Sequence, residues 1–153
     1  MTQTTNAITL NMAVVQISTS GWPTGALDIS GIANTVTISG GDLAIIKKFT
    51  FGTSTPVIAA GTKDSLKLKV DCLYGGGTAG TGDNYATLAA MYENKTPIQL
   101  RYGPMGSTSG YVSFVTGTGY MTGHPYPSGD AEGKEFATFS PNFEVQSITR
   151  STF

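Results

Sequence analysis

Between residues 65 and 74 the chain alternates without a break. Leu66, Leu68, Val70, Cys72 and Tyr74 fall on one side, and Lys67, Lys69, Asp71 and Leu73 on the other. A period of two is the pleat of a strand with one face against a core and one face toward water. Similar runs occur at 8–18, 34–39, 45–51, 96–102, 111–116, 120–122, 134–140 and 143–149. What separates them is turn-forming. The 153 residues include 20 Gly, 23 Thr and 13 Ser, and only 12% are charged. Such a chain is predicted to be mainly β, a single domain over 1–153, with no repeat or linker to divide it.

One segment departs from the period. Tyr85, Leu88, Met91 and Tyr92 recur at helical spacing behind Asp83, a capping residue, and Asn94 and Pro97 stop the run. The expectation is one short helix at about 83–94, closing a sheet face or an end of a β-sandwich. Ser39-Gly40-Gly41-Asp42 predicts a tight hairpin turn, because two glycines accept positive φ without a Cβ clash.

Charge narrows the function classes. Nine Lys+Arg against ten Asp+Glu leave a formal net charge of -1, which argues against a protein that grips phosphate backbone or an anionic membrane. No apolar run approaches the roughly 20 residues of a transmembrane helix. Residues 1–6 lack the features of a signal peptide, so a reducing cytosol is the expected folding compartment. The single Cys72 lies in the apolar series of its strand and reads as a core residue. One Cys and one His, His124, cannot supply a four-ligand zinc site.

Catalytic signatures are weak. Gly75-Gly76-Gly77-Thr78-Ala79-Gly80 matches the spacing of a dinucleotide loop. However, the strand that follows carries Arg101 where a ribose-binding carboxylate belongs, and no further βα units follow. A plain strand-to-helix loop is the better reading. His124 has no nucleophile or orienting partner at a recognisable spacing. Asp130 and Glu132 share a Gly-rich loop and read as solvated. No catalytic residue, cofactor or metal is expected. Trp22, Tyr102, Tyr111, Tyr120 and Tyr126 leave open a carbohydrate-binding β-sandwich module, set against ordinary core and interface packing.

Three stretches, taken in order, carry a resemblance. Trp22 followed by Leu27-Asp28-Ile29-Ser30-Gly31, then Gly61-Thr62-Lys63-Asp64-Ser65 leading to Leu73-Tyr74, and last Leu100-Arg101-Tyr102-Gly103-Pro104 with Pro125-Tyr126-Pro127-Ser128-Gly129-Asp130-Ala131-Glu132, resemble the tail tube proteins of long-tailed bacteriophages. The chain departs from that pattern in the second stretch, which lacks the Arg and Pro and has Gly75 in place of a Thr. The resemblance implies a β-sandwich or tail-tube-type barrel flanked by a helix. It implies six copies in a ring, and rings stacked into a tube through which double-stranded DNA passes without specific binding. The implied partners are further copies of the chain, a tape measure protein and tail terminator and tip proteins. The implied location is the virion tail, with the host cytoplasm before assembly.

Two expectations follow for particular residues. A passage for DNA should not bind DNA, so the bore is expected to be lined by acidic and neutral side chains, with Asp42, Asp64, Asp130 and Glu132 as candidates. The seven Lys then lie mostly outside the bore or in subunit contacts. Residues 40–62 hold Ile45, Ile46, Phe49, Phe51, Val57 and Ile58 with few charges. By resemblance this is an extended hairpin arm reaching a neighbour. A central core hairpin fits the same residues. Residues 1–6 and 151–153 are expected to be loose before assembly.

Overall fold

The computed structural model describes residues 12–22, 25–49, 51–52, 54–74, 84–123, 126–129 and 136–153. Within them the elements run β1 (Val14–Ser18), β2 (Leu27–Asp28), β3 (Ala33–Gly40), β4 (Leu43–Lys48), β5 (Val57–Lys63), β6 (Leu66–Leu73), α1 (Asn84–Glu93), β7 (Gln99–Gly103), β8 (Val112–Thr116), β9 (Gly119–Gly123), β10 (Thr138–Phe139), β11 (Asn142–Val145) and β12 (Ile148–Thr152). The protein is mainly β with one short helix, as the alternating runs predict.

The strands form two larger antiparallel sheets and one separate ribbon. The first sheet has the order β12-β8-β7-β1-β2. The second is built around β6, with β3 along one side, β10 and β11 in succession along the other, and β9 beyond β11. One core joins the two sheets. Val15, Ile17 and Leu100 enter it from the first sheet, and Leu68, Val70, Cys72, Phe139, Phe143 and Val145 from the second. The alternation along β6 is realised as read. Leu68, Val70 and Cys72 are buried, while Lys67 and Lys69 are exposed on the opposite face.

The helix completes this core. Leu88 is fully buried, and Tyr85, Met91 and Tyr92 pack against the same cluster. Tyr85 meets Tyr74 and Phe139 edge-on, with ring centroids 5.2 and 5.3 Å apart. Its C-terminus is closed by two amides that turn back: Lys95 N–H donates to the Tyr92 carbonyl and Thr96 N–H to that of Met91. The left-handed residue of this cap is Lys95, with φ of 51°, one position past the Asn94 stop expected from sequence. The expected cap Asp83 lies outside the described residues, as do Gly75 to Gly80 and His124.

Three expectations are corrected. The run at 143–149 is two strands: β11 pairs with β6 and β9, β12 with β8, and the chain changes sheet at Gln146 and Ser147. The physical cause is a slip in phase, since Phe143 and Val145 point inward on odd positions and Ile148 on an even one. Gly40 and Gly41 do not reverse the chain. They have the expected positive φ, 79° and 77°, but the strand continues outward through them, as described below. Residues 151–153 are not loose. Ser151 and Thr152 pair with β8, Phe153 N–H donates to the Tyr111 carbonyl, and the Phe153 ring lies 3.8 Å from the Arg101 guanidinium carbon.

Candidate assembly surfaces

The β4–β5 ribbon stands apart from both sheets. β3 ends against β6 at the Gly40–Leu66 pair, and β4 begins against β5 at the Leu43–Lys63 pair. Between these rungs Gly41 N–H donates to the Ser65 carbonyl at 3.2 Å, and Asp64 N–H to the Asp42 carbonyl at 3.0 Å. The outgoing and returning chains thus stay paired through a bend at two glycines, and the ribbon is an extension of the β3–β6 ladder. The bend requires glycine at both positions. A Cβ on Gly40 would stand 2.6 Å from the Ser65 carbonyl oxygen, and one on Gly41 would stand 2.7 Å from a Leu66 methyl.

Among the described residues nothing covers the ribbon's large apolar side chains. Ile45 and Ile46 are each 52% exposed, Val57 and Ile58 60%, Phe49 71%, and Phe51 is fully exposed. In the observed register Ile46, Ala59 and Val57 share one face, while Ile45, Ala60 and Ile58 share the other. Each face also carries one lysine, Lys48 on the first and Lys47 on the second; the largely apolar remainder is patterned for burial on both faces. A two-stranded ribbon alone is marginal in water. Each large apolar side chain that became fully buried would add about 1.5–3 kcal/mol. The rival reading of these residues, a central core hairpin, is not what the structure has.

Sheet edges are the second surface. Among the described residues β3 pairs only with β6, β12 only with β8, and β2 only with β1. Both β3 and β12 are largely exposed along their length. An open edge presents unpaired backbone amides and carbonyls that another strand can complete.

The third surface is the outward face of the second sheet. It holds a shallow cavity of about 500 Å³ lined by Thr37, Ser39, Lys67, Lys69, Asn142 and Glu144. Lys69 Nζ lies 2.8 Å from Asp71 Oδ1. The Asp71 carboxyl is held below its ordinary value of 3.8, chiefly by the hydrogen bond from Lys69 and then by that from the Ser140 hydroxyl. Glu144 accepts a hydrogen bond from the Ser65 hydroxyl and stands opposite Lys67 across the β6–β11 ladder. Sequence reasoning missed Glu144, because its neighbours on this face lie 79 positions away in the chain for Ser65 and nearly as far for Lys67.

Two of the stretches that carry the family resemblance hold the fold together. Ser30 N–H donates to Asp28 Oδ1 at 2.9 Å, and the Val15 amide donates to Ser30 Oγ at 2.9 Å, which locks buried Ile29 beside β1. Arg101 is clamped in place. Its Nη2 donates to the Thr152 carbonyl at 2.6 Å, and its guanidinium carbon lies 5.7 Å from the Trp22 ring centroid. Asp42 and Asp64 sit together at the root of the ribbon, both exposed. Asp130 and Glu132 lie outside the described residues.

Among the described residues no group of three or more His, Cys, Asp or Glu is gathered to hold a metal. Burial, with a smaller contribution from Asp71, pushes the Cys72 thiol up to about 12, far from a nucleophile's range. The aromatic residues do not make a single platform. Tyr102 stacks on Phe114 and packs against the core, Trp22 faces Arg101, and Tyr120 projects from the edge of the second sheet. No described helix is long and apolar enough to cross a membrane.

Similar solved structures give the arrangement a context. A chain of the anti-feeding prophage baseplate, 6-fold symmetrised, superposes with a TM-score of 0.68 at 11% identity, over 98% of each chain. The SPP1 tail tube superposes with a TM-score of 0.65 at 14% identity, over 96% of this chain and 80% of that one. A chain from the tail of an empty GTA particle, of C6 symmetry, superposes with a TM-score of 0.62 at 11% identity, over 96% of this chain and 99% of that one. No protein-family model and no curated protein sequence matches the chain. What is shared at this level of identity is the fold, and that fold is the tail-tube fold.

Proposed function

We propose that this protein is a structural subunit that assembles with copies of itself into six-membered rings, which stack into the hollow tube of a phage tail or a related injection particle. The reading has one principal support: an apolar ribbon exposed on both faces, attached to a fold whose sheet edges stand open. A neighbouring copy satisfies both features at once. Backbone edges pair laterally, and the ribbon carrying Ile45, Ile46, Phe49, Phe51 and Val57 is buried against the adjacent subunit or ring. Head-to-tail contacts close into a ring when their rotation closes. Six is the symmetry of two of the similar structures.

The function is then geometric. The tube is a conduit for double-stranded DNA during ejection, and the subunit performs no chemical step. Its further partners are a tape measure protein inside the tube during assembly and terminator and tip proteins at its ends. It folds in the host cytoplasm and ends in the virion tail. Sedimentation of concentrated, tag-free protein tests this reading. The expected result is a species of six subunits or stacks of six. A solitary monomer at every concentration and salt would reject it.

A further inference from the structure

Among the described residues the outward face of the second sheet carries two cations, one ion-paired with a carboxylate and the other opposite one across the ladder. Lys69 is ion-paired with Asp71, two positions along the same strand face. Lys67 stands directly across from Glu144. Both carboxylates are held in place by hydroxyl donors, Ser140 on Asp71 and Ser65 on Glu144. The remaining polar side chains that line the cavity there are hydroxyl and amide, from Thr37, Ser39, Thr122 and Asn142. Tyr120 stands at the β9 margin and Leu73 at the end of β6.

The same sheet has the geometry of an inner wall. The first sheet and α1 both lie on its apolar side, since Val15, Ile17, Leu100 and Leu88 share its core. In a closed ring the arc available to each copy grows with radius, so the wider layer belongs outside. The second sheet is four strands across, β3, β6, β11 and β9. At about 4.8 Å per strand, six copies joined edge to edge close into a sheet roughly 37 Å across before strand tilt widens it. A double helix fits within such a wall.

The geometry points to this outward face as the bore lining of the proposed tube, with Lys67 and Lys69 neutralised in place by Glu144 and Asp71 so that duplex DNA slides past without being held. The inference rests on the tube reading. It places two lysines inside the bore, where the expectation that a DNA passage avoids cationic side chains puts them outside or in subunit contacts. An unmatched lysine binds phosphate by releasing condensed counterions, and its effect multiplies over every copy of every ring. A lysine already matched by a fixed carboxylate offers the duplex no such gain. Asp42 and Asp64, just beyond the Ser39–Lys67 rung, add carboxylates at the rim.

Two measurements on the full-length assembled protein test it. Cryo-electron microscopy of the tubes should show Lys67, Lys69, Asp71 and Glu144 facing the channel. Absence of any ring would reject the tube reading itself, whereas rings with the first sheet toward the channel would reject only this inference. Retention of a short fluorescent duplex on tubes, read by anisotropy across a salt series, tests the neutralisation. Wild-type tubes should not retain it. D71N/E144Q tubes should bind at least ~10-fold more tightly, with affinity falling steeply as salt rises. Adding K67Q and K69Q to that variant should return retention to the wild-type level. Retention by wild-type tubes, or no gain in assembled D71N/E144Q tubes, would overturn the assignment. Should D71N/E144Q fail to assemble, E144Q alone is the variant to read, with a smaller gain expected and none overturning it.

Discussion

The carbonyl oxygen of Ser65 lies 2.6 Å from the point where a β-carbon on Gly40 would stand. Gly40 has φ of 79°, so a larger residue meets both a backbone clash and a strained conformation. Gly40→Ala should therefore destabilise the monomer by about 1–3 kcal/mol, the cost of holding a non-glycine residue in an unfavourable backbone region. Denaturant unfolding checks the value. Hydrogen exchange should show the added exposure concentrated at the junction of β3 with the ribbon, not in the buried strands β1 and β7.

Phe49 is a different case, because it is 71% exposed and contributes to no core. Phe49→Glu should leave the thermal midpoint of the monomer within the range of an ordinary surface change, about 0.5 kcal/mol. Assembly should be abolished, since a carboxylate would have to be buried at the contact. Soluble, folded, non-assembling protein is the expected outcome. Insoluble protein would mean that the ribbon belongs to the core of its own chain.

Asp71 sets a pH dependence. Its carboxyl is held below its ordinary value of 3.8 by Lys69 and Ser140, so its ionised form is favoured in the folded protein. The resulting stability is present above the unfolded carboxylate value and is lost as pH falls through the lower native one. Asp71→Asn should cost no more than about 1 kcal/mol at neutral pH, the scale of a surface pair. The gap to wild type should shrink in acid as the wild-type Asp71 carboxylate is protonated and loses the charge that the Asn variant already lacks. Unfolding curves collected at descending pH check both the size and the direction.

Cys72 should be silent until the fold opens. The thiol is 1% exposed and pushed up to about 12. At neutral pH a maleimide should leave the native protein unmodified and add once to the unfolded protein, a difference that intact mass measures directly. Rapid modification of the native state would mean that the β6 core face is not closed.

Much of this architecture is legible in the residues. The unbroken alternation at 66–73 identifies the central strand and which side of it is buried, and the spacing of Tyr85, Leu88 and Met91 identifies the helix face. Local pattern fails where the outcome depends on distant partners. Gly40-Gly41 has the chemistry of a hairpin turn, yet Ser65 and Leu66 on the returning chain make it a bend in a longer ladder. The change of sheet after Val145 is signalled only by the slip that moves Ile148 to an even position. The alternation along β6 shows Lys67 facing outward but not the Glu144 that β11 brings opposite it. The acidic candidates Asp42 and Asp64 were found by charge alone, and the fold places them at the ribbon's root.

The proposed tube requires lateral pairing between copies. Negative-stain microscopy of the purified, tag-free protein at high concentration shows whether that pairing occurs. The expected images are end-on views of six-fold rings with an open centre, and stacks of them seen from the side. Uniform particles of monomer size, in fields where the protein is folded and concentrated, would contradict the pairing.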